Sequence, residues 1–310
     1  KKDEITTLAE MLRKNDYYTV SETLDESVLP RQGFDEYNLF DEKTVNLKKR
    51  HMELIKKLSK KEKFFAFLHF TDTHLHYVRD IVQKYEKSEN DDEYYKSKKE
   101  NNEKYNASVS SCDEYVSGII QTLQESNLFE KTVLIFISDH GTSIGEKYGE
   151  KFYGVFVYEN TINVFCIMHI PGKSPKIISK QCSTIDLFPT IAELAGIRTE
   201  NKSKIQGQSL LYLIDDSSAK DREVFVETGG LYGPWPSPEK HNIFCVKIHG
   251  KKLIYNDAPQ TWEFYDLKND PNELHNIYDE RSKQIGDLKR KLISHFKENK
   301  IITKLNENTS

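Results

Sequence analysis

The chain has 310 residues, of which 37% are hydrophobic and 30% are charged, and its formal net charge is −4. A chain of this size and composition can bury a core large enough for one big domain, alone or with an appended subdomain. The charge balance offers no basic footprint for nucleic acid, and no window approaches the ~18 consecutive apolar residues that suggest a bilayer span. The four cysteines form no CxxC pair, so they match neither a zinc site nor a dense disulfide framework.

The first two-thirds of the chain alternates helical and strand patterns. Apolar residues recur at helical spacing in residues 7–15, 45–59, 105–123 and 185–195. Short apolar runs predict strands at 17–20, 64–70, 133–137 and 163–170. We interpret residues 29–40 as a loop and the charged span 84–104 as a lid-like loop or an exposed helix. This alternation predicts a doubly wound parallel sheet flanked by helices.

The sequence pattern changes after about residue 222. Short strand patterns at 224–227, 243–249, 252–256 and 261–267 are separated by Gly, Pro and Asn turns, and a charged helical pattern follows at 280–299. This predicts a small antiparallel sheet packed with a helix. We therefore predict an α/β domain over residues 1–222 and a C-terminal subdomain over residues 223–310.

The run from Val133 to Ser143 carries the clearest chemical signal. A β-branched and aromatic strand stops abruptly on Asp139 and His140 and then enters a Gly/Ser turn. An uninterrupted apolar run is typical of a strand covered on both faces of a parallel sheet, and ligand sites gather at the carboxyl ends of such strands. A carboxylate next to an imidazole at that place makes a plausible half-site for a divalent metal. Two ligands cannot hold a catalytic metal alone.

Eight short motifs follow one another along the chain: Gly33-Phe34-Asp35-Glu36, Asp72-Thr73-His74-Leu75-His76-Tyr77, Ser138-Asp139-His140-Gly141, Gly145-Glu146, Tyr158-Glu159, Asp186-Leu187-Phe188-Pro189-Thr190, Gly207-Gln208-Ser209-Leu210 and Tyr265-Asp266-Leu267. In this order they resemble the sulfatase family of the alkaline-phosphatase-like superfamily. The resemblance implies an α/β fold with an alkaline-phosphatase-like, mostly parallel sheet and a small C-terminal antiparallel subdomain. It also implies a metal-dependent hydrolase of sulfate or phosphate esters, acting on a small molecule or a glycan.

The family's nucleophile is a formylglycine made from the Cys of a C-x-P-x-R motif. None of the four cysteines here is followed two residues later by Pro. In the family, the nucleophile and the first metal-binding aspartates precede the helix that matches residues 7–12. We therefore expect them upstream of Lys1, and we expect this chain to be the C-terminal two-thirds of the fold and inactive on its own.

The resemblance assigns roles to five residues. Asp139 and His140 are expected to bind the metal, and aspartates supplied from upstream would make the site oxygen-rich. Such a site favours Ca²⁺, with Mg²⁺, Mn²⁺ and Zn²⁺ as alternatives. His74 is the candidate catalytic residue, either contacting a substrate oxygen or protonating the leaving group. His76 and Lys151 are candidate substrate-binding residues.

Three departures from the family pattern leave other functions open. The family often has a Lys and a His where this chain reads 20–24, a Lys where it has Gly154, and an Arg where it has Asn163. Each change removes a cation that would face a sulfate group. A phosphodiesterase or a phosphoglycerol- or phosphoethanolamine-type transferase of the same superfamily is one alternative. A catalytically inactive, sulfatase-like binding domain is the other.

Overall fold

The computed structural model describes residues 5–74, 84, 92–198, 205–215, 219–229 and 242–307. Its N-terminal part is a three-stranded parallel sheet in the order β2-β1-β3. The strands are β1 Tyr18–Thr23, β2 Glu36–Leu39 and β3 Phe64–Leu68. This parallel sheet, flanked by helices, confirms the predicted α/β class.

Helices on this sheet form because their ends are capped and one face of each is apolar. Helix Leu8–Arg13 begins at a capping box made by Thr7 and Glu10. Helix Leu47–Leu58 is capped by the Asn46 side chain, and its Leu54 and Leu58 pack on Val20 of β1. Because β1 and β3 run parallel, they end at the same edge of the sheet, and the segment 69–74 continues from that edge.

A long helix, Lys98–Glu125, leads into β4 at Leu134–Ile137. The prediction that this strand lies in a parallel sheet, covered on both faces, is wrong. Within the described ranges β4 pairs with β5, Cys166–His169, and the pairing is antiparallel. Leu134 and Phe136 pack against the long helix, but Ile137 is 36% exposed. An apolar run looks the same in either kind of pairing, so periodicity could not separate them.

The C-terminal part is an antiparallel sheet in the order β6-β7-β8-β9, as predicted. Its strands are β6 Val224–Thr228, β7 Ile243–Ile248, β8 Lys251–Asn256 and β9 Thr261–Asp266. One face packs on helix Lys283–Asn299 through Ile285, Leu288, Leu292 and Phe296. The other face packs on Val157 and Tyr158. The domain division at residue 222 stays a prediction.

Other elements depart from the predicted bounds. Residues 29–40, predicted to be a loop, contain β2. The strand was missed because its polar residues Glu36 and Asn38 conceal the strand pattern. In the charged span 84–104, Asp92–Lys96 forms a helix and the long helix starts at Lys98, with Tyr94 fully buried. The remaining elements are the helices Glu159–Ile162, Leu187–Leu194, Tyr212–Asp215 and Lys304–Glu307 and the 3₁₀ turns Phe129–Lys131 and Thr184–Asp186. Across the described ranges, no helix combines the length and the hydrophobicity needed to cross a bilayer.

Candidate functional site

Asp139 and His140 lie directly after the carboxyl end of β4. The backbone N–H of His140 donates to Asp139 Oδ1 at 2.9 Å, which fixes the carboxylate beside the ring. His140 Nε2 and Asp139 Oδ2 are 3.6 Å apart, and the two side chains are 39% and 79% exposed. The two donor atoms therefore face the same accessible space.

The tautomer of His140 follows from its contact with its own loop. His140 Nδ1 lies 2.8 Å from the carbonyl oxygen of Gly141. Because a carbonyl oxygen only accepts, Nδ1 carries a proton, and in the neutral imidazole Nε2 is then the nitrogen with the lone pair. The imidazole also stacks on Tyr153, with ring centroids 4.0 Å apart. A ring held in this way presents Nε2 as metal-binding histidines do, with the other nitrogen donating to a carbonyl.

Gly141 is required at its position by the close approach of the chain that follows. A Cβ at this position would lie 2.3 Å from the carbonyl oxygen of Asn160. Its N–H donates to the carbonyl oxygen of Thr161 at 2.8 Å. The His140 loop is therefore attached to helix Glu159–Ile162 by a bond that leaves no room for a side chain.

His74 lies on the short turn 72–74 after β3, and neighbouring residues attach this turn to the long helix. Ser111 Oγ donates to Asp72 Oδ2 at 2.8 Å, and Thr73 Oγ1 lies 3.2 Å from Cys112 Sγ. His74 Nδ1 is 3.9 Å from Glu42 Oε2, an ion-pair distance rather than a hydrogen bond. His76 lies outside the described residues, and Lys151 is half-buried in the loop after β4.

His69 directly follows β3 and is not among the five residues to which the resemblance assigns a role. Its ring does contact Phe40 and Phe67, but Nδ1 is buried without a hydrogen-bond partner in the part of the chain that is described. Burial lowers the pKa of His69, the charge of Asp139 opposes that effect, and the charge of His74 adds to it. The ends of β3 and β4 thus bring His69, His74 and Asp139 into electrostatic range of one another. Sequence patterns could not reveal this, because the three residues follow two strands, β3 and β4, that are far apart in the chain.

The fit of a divalent cation can be tested on the donor set. Two neighbouring ligands at right angles on an ion, each about 2.3 to 2.6 Å from it, are about 3.3 to 3.7 Å apart. The separation of 3.6 Å between Asp139 Oδ2 and His140 Nε2 matches this spacing. Residues 5–74, 84, 92–198, 205–215, 219–229 and 242–307 contain no group of three or more His, Cys, Asp or Glu able to hold a metal. The described residues therefore provide a fitting pair of ligands, not a complete coordination shell.

A buried group of charges, which the sequence did not predict, lies at helix Glu159–Ile162, the helix to which the His140 loop is bonded. Lys252, on β8, is 0% exposed, and its Nζ is 2.8 Å from Glu273 Oε1 and 3.2 Å from Glu159 Oε1. The adjacent Lys247 Nζ is 2.5 Å from Glu159 Oε2. In the sequence, two consecutive lysines begin β8, and strand alternation sends them to opposite faces without showing which face meets the carboxylates.

Comparison with known proteins gives matches over most of the chain. The protein-family model described as Sulfatase matches residues 1–197, and the one described as N-sulphoglucosamine sulphohydrolase, C-terminal, matches residues 149–301. Arylsulfatase K of Homo sapiens is 30% identical over 182 residues, which cover 56% of this chain and 32% of that protein. An N-acetylglucosamine-6-O-sulfatase of Bacteroides thetaiotaomicron is 28% identical over 207 residues, covering 63% of this chain and 36% of that protein.

Among solved structures, a 2-O GAG sulfatase aligns with a TM-score of 0.77 at 17% identity, covering 99% of this chain and 76% of that chain. At this identity the likeness establishes the fold. The chain matches only 32% to 36% of the length of the two curated relatives, so their activities describe proteins much longer than this chain.

Proposed function

The chain belongs to the sulfatase family, and from that premise we propose that it carries the metal half-site and a substrate-facing histidine of a hydrolase acting on sulfate esters. The observation that carries this proposal is the convergence of Asp139 Oδ2 and His140 Nε2, 3.6 Å apart, at the end of β4. The N-acetylglucosamine-6-O-sulfatase relative supports a sulfated sugar or glycan as the substrate class.

Asp139 and His140 are the residues that would hold the cation, and we propose Ca²⁺ as the ion. A bound divalent cation offsets the negative charge of the ester oxygens. The protein's own contribution is orientation. The Gly141 carbonyl and the Tyr153 ring fix the imidazole, while the His140 N–H holds the carboxylate.

We assign His74 to contact with the transferred group or to proton donation toward the leaving group. Its turn is attached to the long helix through Asp72 and Thr73, and Glu42 lies beside its ring. General acid catalysis of this kind contributes about 10²- to 10⁴-fold to a rate. Lys151 and His76 remain proposed contacts for the ester.

The test is a calorimetric titration of the natural full-length protein with Ca²⁺, Mg²⁺, Mn²⁺ and Zn²⁺. Wild type is compared with Asp139→Ala and with a control, Asp113→Ala, which removes an exposed carboxylate from the long helix. We expect Asp139→Ala alone to abolish binding. If wild type binds none of the four ions, the enzyme assignment fails and the binding-domain alternative stands.

Hydrolysis of a chromogenic aryl sulfate then tests the role of His74. We expect His74→Ala to lower kcat by at least about 100-fold while metal affinity stays unchanged. Unchanged kcat would remove His74 from the proposed chemistry.

A further inference from the structure

Lys252, Glu159 and Glu273 form a buried cluster that we name the charge clamp. The ammonium of Lys252 lies between the two carboxylates, at 3.2 Å from Glu159 and 2.8 Å from Glu273. Lys252 and Glu273 are 0% and 1% exposed. The clamp joins strand β8, the turn after β9 and helix Glu159–Ile162, which lies next to the His140 loop.

Stability alone does not explain this arrangement. Burying charges costs free energy, and well-packed apolar residues are often as stabilising as a buried ion pair. Glu273 also has a left-handed backbone, with φ of 54°, a conformation that L residues rarely adopt. A strained residue together with buried charges indicates that the clamp fixes the position of the segments it joins.

Three hydrogen bonds, joined by the backbone of helix Glu159–Ile162 and of Gly141, connect the clamp with the imidazole of His140. Glu273 Oε2 accepts from the backbone N–H of Glu159 at 2.6 Å, at the start of the short helix. Two residues later, the Thr161 carbonyl accepts from the Gly141 N–H at 2.8 Å. The Gly141 carbonyl in turn accepts from His140 Nδ1 at 2.8 Å. Three hydrogen bonds thus separate the clamp from the His140 ring.

We propose that Lys252 and Glu273 are positioning residues for His140: they hold helix Glu159–Ile162, whose Thr161 carbonyl holds the Gly141 backbone that selects the His140 tautomer. The effect on metal affinity rests on the function proposed above, whereas the effect on the imidazole does not. The C-terminal sheet is then part of the site's support, although none of its residues touches His140 in the described contacts.

The experiment uses the natural full-length protein with two substitutions, Lys252→Met and Glu273→Gln. Arg222→Met is the matched control, because it also removes a cation from a fully buried carboxylate, that of Asp186. The other described hydrogen bonds to this carboxylate come from the backbone N–H groups of Ser183 and Gln208, not from helix Glu159–Ile162 or Gly141. The two readouts are the Ca²⁺ dissociation constant from calorimetry and the long-range ¹H–¹⁵N spectrum of His140, which reports its tautomer.

We expect both clamp variants to weaken Ca²⁺ binding by about 10- to 100-fold, the usual cost of losing an outer-shell partner. The Nδ1–H tautomer of His140 should lose population in the same variants. The Arg222→Met variant should lose thermal stability with both readouts unchanged. Equal loss in the control, or an unchanged His140 spectrum in the clamp variants, would overturn the proposal.

Two further outcomes can be distinguished from a failure of the clamp proposal itself. If wild type binds no metal, the proposed function fails, and the His140 spectrum still decides on the clamp. If neither clamp variant folds, native-state hydrogen exchange of the wild type decides instead. The amides of Gly141 and Glu159 should then exchange through one opening of equal free energy, and clearly different values would refute the coupling.

Discussion

Replacing Glu150 by glutamine should remove a pH dependence of stability that the fold imposes on this carboxyl. Glu150 is 1% exposed, and burial raises its pKa from 4.5 to about 7. Thr161 Oγ1 donates to Glu150 Oε1 at 3.2 Å, while Glu150 Oε2 has no hydrogen-bond partner among the described residues. The nearby Glu273 raises the pKa further, and Lys252 and the Asn160 and Thr161 side chains lower it.

Proton binding in the folded and unfolded states determines whether the free energy of unfolding rises or falls with pH. An unfolded Glu150 releases its proton near pH 4.5, whereas the folded protein keeps that proton up to about pH 7. Between these values the folded state binds more protons, so the free energy of unfolding falls as pH rises. The stability that protonated Glu150 contributes is therefore complete below about pH 4.5 and is lost as the pH rises through about 7. A rise of this size corresponds to about 3 kcal/mol.

The assay is urea unfolding at pH 5 and pH 8 of wild type, Glu150→Gln and a control, Glu62→Gln, at an exposed position. Other titrating groups cancel in the difference between proteins. Relative to wild type, Glu150→Gln should gain about 2 to 3 kcal/mol between pH 5 and pH 8, and the control should gain nothing. Parallel pH profiles for wild type and Glu150→Gln would refute the reasoning.

Two further predictions concern packing. Gly141→Ala puts a Cβ 2.3 Å from the Asn160 carbonyl, so we expect urea unfolding to show a loss of about 1 to 3 kcal/mol and a changed His140 spectrum. Gly286→Ala, in helix Lys283–Asn299, adds a Cβ whose nearest atom beyond the helix backbone and the two adjacent residues is 3.7 Å away, so it should instead gain about 1 kcal/mol. Leu292→Ala, at 1% exposure under the antiparallel sheet, should cost about 2 to 5 kcal/mol in the same assay, against about 0.5 kcal/mol or less for Lys297→Ala on the exposed face. Equal losses at Leu292 and Lys297 would contradict the assigned core.

Local signals were enough to predict the elements whose residues carry a clear period. Strands β7 to β9 are short runs rich in β-branched and aromatic residues, and they are separated by turns such as the one at Gly250, where φ is 71°. The strand-to-loop change at Asp139 was visible because an apolar run ends there. By contrast, β2 was missed because it contains Glu36 and Asn38, and the antiparallel partner of β4 was missed because pairing depends on residues far away in the chain.

The support behind the site could not be predicted for a related reason. Glu150, Glu159 and Lys252 are residue types that ordinarily lie in solvent, and only tertiary contacts reveal that they are buried together. Tautomer selection at His140 likewise depends on a carbonyl whose direction is set by a helix some twenty residues later. Sequence patterns identify the ligands of such a site more readily than the groups that orient them.

The two family-model matches overlap at residues 149–197, and the coupling between the two parts of the molecule starts in that overlap. Glu150 binds the Thr161 hydroxyl, and Glu159 binds Lys252 and Lys247 of the antiparallel sheet. Both carboxylates therefore act on one short helix, and that helix holds Gly141. Because Lys252 and Glu273 also affect the charge on Glu150, protonation of Glu150 and the charge clamp act on the same support. A hydrolase built in this way would depend on its C-terminal sheet to keep His140 oriented, as well as to cover the core.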